Sequence, residues 1–296
     1  MTYDLYLGDY AYSSWSLRGW LLFERFGLAR KQHFIEFSTQ DVADQMAALA
    51  PSRTVPTLTT PEGAIISDSL AMAEELATRH PDAGFWPSHP RARATARTLA
   101  AEMHSSFGAL RAQCPMNLRR AYANFPADDD ISADVARLEV IWDHARRTCG
   151  GDGPWLCGDY SVADVFFAPV AARIAGYGLS VFGSAQAYVE SHLNDAAFRR
   201  WRAMGLVKGP VLPWYTLDYD LKPWPGPEVQ AATAVPNGPS VNTHCPYSGK
   251  PVTDFLEFDG KVYGFCNPFC RDKTVADPAA WPAFAELSGI ATASTI

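Results

Sequence analysis

Two groups of residues in this sequence have the types and spacing to do chemistry. The first is Tyr12-Ser13-Ser14-Trp15-Ser16-Leu17-Arg18, where hydroxyls stand between a strand-like run and a helix-like run. Free N–H groups at a helix start and the helix dipole favour an anion there. A thiol is mostly protonated at neutral pH, and a serine O–H aimed at the sulfur together with that dipole would help hold it as a thiolate. The same serines serve equally as helix caps. The second group is Cys245, Cys266 and Cys270. Cys266 and Cys270 lie four apart, so a helix beginning there turns both sulfurs the same way, toward Cys245. Such a set reads as a metal site or as three reduced thiols packed as small hydrophobes.

The elements that must position these residues can be read from periodicity and punctuation. Residues 3–7 read as a strand and 15–26 as a helix ended by Gly27; 33–37 reads as a strand and 42–49 as a short helix. Residues 54–59 then read as a strand containing Pro56, followed by a turn at Pro61-Glu62-Gly63, a short strand at 64–66 and a helix over 67–79. The order β-α-β-α-β-β-α is that of a thioredoxin-like domain. Proline is normally excluded from strand interiors, so Val55-Pro56 is a candidate cis peptide at a strand entrance or an edge-strand proline. From 91 to 211 the pattern is helical, with a helix expected near 132–148 and a capping box at Ser161-Val162-Ala163-Asp164. A stretch rich in proline and glycine reads as an extended linker over 216–243. Beyond it a hairpin is expected at 255–258 and 261–265, turned at Asp259-Gly260.

At 296 residues the chain is long enough for two cores and a small third unit. Hydrophobic residues at 48% and charged residues at 19% place it among globular proteins. A formal net charge of -7 argues against a nucleic-acid partner, because phosphate binding needs clustered cations. The N-terminal residues lack the pattern of a secretory signal, and the most apolar helical stretch, 162–182, is interrupted by Asp164, Pro169 and Arg173. These features lead to the expectation of a cytoplasmic protein with no membrane segment, where clustered cysteines favour metal over disulfide.

Three separated segments, 12–22, Pro51-Ser52-Arg53-Thr54-Val55-Pro56-Thr57-Leu58 and Ile66-Ser67-Asp68-Ser69-Leu70-Ala71, together resemble the glutathione transferase family. Ala101-Glu102-Met103-His104-Ser105-Ser106-Phe107, Pro115-Met116-Asn117 and Gly158-Asp159-Tyr160-Ser161-Val162-Ala163-Asp164 extend the resemblance into the helical part. It implies a thioredoxin-like glutathione-binding domain at 1–82, an all-helical domain at 90–215 and a homodimer. The serine segment is similar to that of zeta-class enzymes, which include maleylacetoacetate isomerases, with Trp15 standing where the zeta pattern has cysteine. By that resemblance Ser13, with Ser14 next, activates the thiol; Val55, beside Pro56, pairs through its backbone with the cysteinyl amide; Asp68 and Ser69 hold the γ-glutamyl end; Arg53 lies near the glycine carboxylate. Tyr10 or Tyr12 would replace the serine if the chain followed other classes. His104 and Arg111 share one side of a helical run, and either contact a small electrophilic second substrate between the domains or form buried interdomain hydrogen bonds.

Residues 244–296 resemble the TRASH and YHS metal-binding modules, a small hairpin-and-helix unit. The resemblance implies a structural metal held by Cys245, Cys266 and Cys270. Ser248 occupies the place where many such modules have another cysteine, and His244 is the nearest candidate for a fourth ligand. Zinc and copper(I) both suit the donors. The expected function is glutathione-dependent conjugation or isomerisation of a small electrophile; the alternative is a metal-sensing or metal-handling protein on the same scaffold.

Overall fold

Side chains of Tyr3–Leu7 alternate between buried and half-buried, as in a strand with one face fully covered, and form β1. Ser13 caps α1 (Ser14–Glu24), which is buried from Ser16 to Phe23. β2 (Arg30–Phe34) lies parallel to β1 with Leu7 opposite Phe34. After the single turn of α2 (Val42–Gln45), β3 (Thr57–Thr59) runs antiparallel to β1 with Leu5 opposite Leu58, and β4 (Ile65–Ile66) closes the edge. α3 (Ser69–Arg79) completes a four-stranded sheet of order β2-β1-β3-β4, the thioredoxin-like arrangement implied by the element order. The computed structural model describes residues 2–151 and 153–293; Met1, Asp152 and residues 294–296, which the expected domain limits included, lie outside the described residues.

Boundaries differ where local signals are weak. β2 begins at Arg30 rather than at 33, because its first half is charged and carries no apolar alternation. The helix expected over 42–49 is one α turn and a separate 3-10 turn at Ala47–Leu49. Pro56 precedes β3 instead of lying within it, consistent with its missing N–H, and the Val55-Pro56 peptide is cis. Gly19 permits close contact here: a Cβ at that position would stand 2.7 Å from Pro56 Cβ, so α1 and the Pro56 loop touch only because the helix carries a glycine.

The helical part contains α4 (Pro90–Ser105), α5 (Gly108–Gln113), α6 (Asp129–Cys149), α7 (Val162–Tyr177) and α8 (Ser184–Asn194). α7 is buried except at Ala175 and packs on both α1 and α4. Its start is secured by the expected capping box: Asp164 Oδ2 accepts the Ser161 N–H at 2.9 Å and the Ser161 hydroxyl at 3.1 Å. The other oxygen accepts the Tyr188 hydroxyl at 2.9 Å and Leu156 N–H at 3.2 Å. β5 (Ala121–Tyr122) and β6 (Leu221–Lys222) pair antiparallel.

The first compact unit spans Met1–Leu193 with Pro210–Pro225; the second spans Asn194–Gly209 with Gly226–Ile296. In the second, β7 (Thr233–Val235), β8 (Asp254–Phe258) and β9 (Lys261–Phe265) form a sheet in that order. Asp259 and Gly260 turn the hairpin with φ of 50° and 67°, the two positive values that a tight two-residue turn requires. α9 (Ala196–Val207) packs on α10 (Pro268–Ala276), and Arg199 grips Asp277 through two bonds of 2.6 and 2.8 Å. α11 (Pro282–Ser288) sets Phe284 against Tyr263 and Phe265. The stretch expected as a plain linker therefore carries β6 and β7, and α9, expected within 90–215, belongs to the second unit. Strands of two or three residues have no readable period, and the Arg199 to Asp277 pairing is long-range. Among the described residues no helix is long and apolar enough to cross a membrane.

Candidate functional site

A cavity of about 770 Å³ opens in the first unit where the start of α1, the Pro56 loop, the start of α3, the end of α4 and α5 meet. Ser13, Ser14, Arg53, Val55, Pro56, Asp68, Ser69, His104 and Arg111 all line it. The volume falls in the range of small-ligand sites. Asp9 shapes the loop entering α1: its carbonyl receives Ser13 N–H at 2.9 Å and its carboxylate receives Ala11 N–H at 2.9 Å. Burial pushes the Asp9 carboxyl up to about 6 against the Ala11 and Tyr12 N–H groups. Ser13 Oγ accepts Ser16 N–H at 3.2 Å and donates to Ser16 Oγ at 2.8 Å.

Across the cavity, Asp68 caps α3 by accepting Leu70 and Ala71 N–H groups at 2.8 and 2.9 Å, while its second oxygen meets His104 Nε2 at 3.1 Å. His104 thus faces Asp68, and its ring meets Trp15 edge-on. The Ser69 hydroxyl is buried with no hydrogen-bond partner, an unsatisfied donor at the wall of the cavity. Arg111 lies over the Trp15 ring at 4.9 Å and reaches the His104 carbonyl at 3.3 Å. Arg18, which is not among the lining residues, stands 4.6 Å from the Trp15 ring and 4.8 Å from Phe166, its Nε and Nη1 without a partner among the described residues. Burial, reinforced by Arg173 and Arg111, brings Arg18 down to about 9. With Arg53, Arg111 and Arg173 on its wall, the cavity is rich in positive charge and suits an anion.

In the second unit the sulfurs of Cys245, Cys266 and Cys270 lie within 4.8 Å of one another. Three sulfurs each ~2.3 Å from one zinc stand no more than ~4.6 Å apart, so the set fits a metal with little movement. Asn267 accepts Cys270 N–H at 2.8 Å and starts α10, which turns Cys266 and Cys270 together. Burial raises the Cys245 thiol, but N–H groups of Tyr247, Cys266 and Ser248 and the Ser248 hydroxyl outweigh it and hold it at about 7. His244 lies outside the group. It pairs with Pro251 in extended backbone and bonds Thr243 Oγ1 through Nδ1 at 2.9 Å; adjacent residues of an extended chain point to opposite faces, which separates it from Cys245. Ser248 Oγ and Asn267 Nδ2 approach Cys266 Sγ instead, at 3.1 and 3.2 Å.

Comparison with known proteins bears on the first unit. Residues 12–79 match the family described as glutathione S-transferase, N-terminal domain. They form a thioredoxin-type domain similar to that of glutathione S-transferases. The maleylacetoacetate isomerase of Dictyostelium discoideum is 27% identical over 150 residues, covering 47% of this chain and 67% of that one. A glutathione transferase homologue from Burkholderia, solved with bound glutathione, aligns at a TM-score of 0.52 and 21% identity over 68% of this chain and 96% of that one. A glutathione transferase from Methylococcus capsulatus aligns at 0.51 and 19% over 68% and 97%. At these identities the solved structures establish the fold.

Around the matched domain the cavity has walls that its own motifs do not reveal. Tyr215, from the segment after α9, stacks on Tyr12 at 5.0 Å, and Tyr12 Oη accepts Leu212 N–H at 3.3 Å. Tyr10 packs against Phe34 and is not among the lining residues. Arg173 reaches the cavity from α7, more than 150 residues from Ser14 in sequence. An arginine in a buried helix that is otherwise apolar beyond its first-turn Asp164 was the available signal for it.

Proposed function

We propose that this chain is a glutathione transferase that conjugates, or reversibly adds to and isomerises, a small electrophile through a serine-stabilised glutathione thiolate. The observation that carries the reading is the Ser69 hydroxyl, buried and unpartnered in a cavity entered by the α1 start and several guanidinium groups. In this reading the hydroxyl and N–H of Ser69 receive the γ-glutamyl carboxylate, and Asp68 takes the ammonium. The Val55 backbone pairs with the cysteinyl amide beside Pro56, and Arg53 meets the glycine carboxylate. The thiol gives its proton to solvent water, a hydroxyl of Ser13 or Ser14 donates to the sulfur, and a new S–C bond forms as the leaving group departs with the bonding pair or, in an addition, as the electrophile takes up a proton from water. In an isomerisation the same bond forms and breaks again after rotation. His104 and Arg111 stand beside the second substrate, in the cavity that Tyr12 and Tyr215 also line. The working form is a cytoplasmic homodimer, as the family resemblance implies.

Calorimetric titration with glutathione and a panel of electrophiles, including a cis-dicarboxylic enone for isomerisation, tests the proposal. Binding with turnover is expected; no binding and no turnover would remove it.

A second reading, metal handling, is favoured by the three converging sulfurs. Cys245, Cys266 and Cys270 would hold zinc or copper(I), and a structural metal would supply folding free energy to the small second unit. The wild-type protein is expected to purify with about one metal per chain and Cys266→Ser to lose it. Loss with unchanged turnover makes the metal structural; metal affinity that responds to glutathione in a protein without turnover supports the sensor.

A further inference from the structure

The two serines at the start of α1 differ in what their hydroxyl groups are already doing. Ser13 Oγ receives Ser16 N–H and gives its own proton to Ser16 Oγ, an oxygen that also receives Gly8 N–H at 2.8 Å. Its one proton is committed inside the cap. Ser14 Oγ receives an N–H from Arg173 Nη2 at 3.3 Å. A hydroxyl that accepts in this way still has its own proton to donate, and Ser14 is half-buried on the wall of the cavity.

Arg173 is built to stay where it is. Its Nε donates to the Cys114 carbonyl at 2.8 Å and its Nη1 to the Pro169 carbonyl at 3.2 Å, which leaves Nη2 aimed at Ser14. Among the described residues no carboxylate forms an ion pair with it. The groups around it are Tyr177 on its own helix, Arg111 in α5 and Cys114 after it, Arg18 from α1, and Tyr215 from the later segment. Of these Arg111 and Arg18 are charged at neutral pH, and their charge has the same sign. A guanidinium bonded to a hydroxyl oxygen polarises the O–H and makes it a stronger donor. Unneutralised positive charge behind it also favours a thiolate.

We infer that Ser14 donates the hydrogen bond to the glutathione sulfur and that Arg173 is the positioning residue that orients and polarises its hydroxyl, while Ser13 acts as the helix cap. This rests on the glutathione reading above and departs from it in choosing between the serines. It also makes α7, from the helical part of the first unit, a supplier of the charge on which thiol activation in the thioredoxin-like part depends.

The thiolate of bound glutathione absorbs in the ultraviolet, so its pKa can be titrated in each variant. Ser14→Ala and Arg173→Gln are each expected to raise it by about one unit or more. Arg173→Lys, which keeps the charge, recovers part of the shift. Ser13→Ala is expected to lower the thermal midpoint through loss of the cap and to move the pKa less than Ser14→Ala does. A Ser13→Ala shift equal to or larger than that of Ser14→Ala overturns the assignment. So does a thiol pKa in Ser14→Ala equal to that of the wild type. Ser14→Ala alone keeps the test decisive should Arg173→Gln misfold. Calorimetry separates the two levels: wild-type protein that does not bind glutathione removes the parent reading, whereas binding with an unaltered pKa in Ser14→Ala removes only this one.

Discussion

Ser69 begins α3, is buried, and has a hydroxyl without a partner. Leaving such a donor unpaired costs free energy that a ligand acceptor recovers, so the side chain belongs to the bound state more than to the free one. Ser69→Ala is therefore expected to weaken glutathione binding about tenfold by calorimetry, since a hydrogen bond to a charged group is worth about 1.5 kcal/mol, and to leave the thermal midpoint nearly unchanged. Equal affinity in the variant would assign Ser69 to the fold alone. Asp68 is a different case at the neighbouring position, because it caps α3 and pairs with His104 before any ligand arrives. The sequence places both residues at a helix start but does not distinguish the satisfied group from the unsatisfied one. That distinction depends on His104, which comes from another helix.

At the scale of elements, α7 connects the fold to the site. Its first turn holds Asp164, whose two oxygens accept four donors: Ser161 N–H and Oγ–H, Leu156 N–H and Tyr188 O–H. Asp164→Ala would leave these donors buried without an acceptor, at a cost on the order of 3 kcal/mol or more. Urea denaturation should show that loss, and glutathione affinity should fall with it as Arg173 and the packing of α7 on α1 shift. A variant as stable as the wild type would show that the box is dispensable. The capping box was legible in the sequence because its serine and aspartate are three residues apart. The partners Leu156 and Tyr188 were not, since they come from a loop and from α8.

For the molecule as a whole, two buried groups set opposing responses to pH. Burial holds His192 down to about 3, with Nε2 unpaired between Trp155 and Tyr188. Its folded pKa lies below the unfolded one, so its contribution is complete above about 6.5 and is lost as pH falls toward 3. Asp9 behaves in the reverse sense: burial raises its folded pKa to about 6, so its contribution is present below the unfolded value and is lost as pH rises through 6. The His192 displacement is the larger, and acid destabilisation is expected to prevail. Between pH 7 and pH 5 the unfolding free energy should drop on the order of 2 kcal/mol more in the wild type than in His192→Phe. An identical drop in both would show that His192 does not govern the acid limb.

The sequence alone determined what depends on neighbours along the chain: the β-α-β-α-β-β-α order, the capping box, the Asp259-Gly260 hairpin and the cysteines four apart. These follow from backbone preference and periodicity, which act over a few residues. Tertiary structure decided what depends on which distant groups meet. It brought Arg173 to Ser14 and Tyr215 onto Tyr12, turned His244 away from the three sulfurs, and gathered α9 and β7 into the second unit. A single side chain carries no periodic signal of its own, and its hydrogen-bond partners are settled only when separate elements pack.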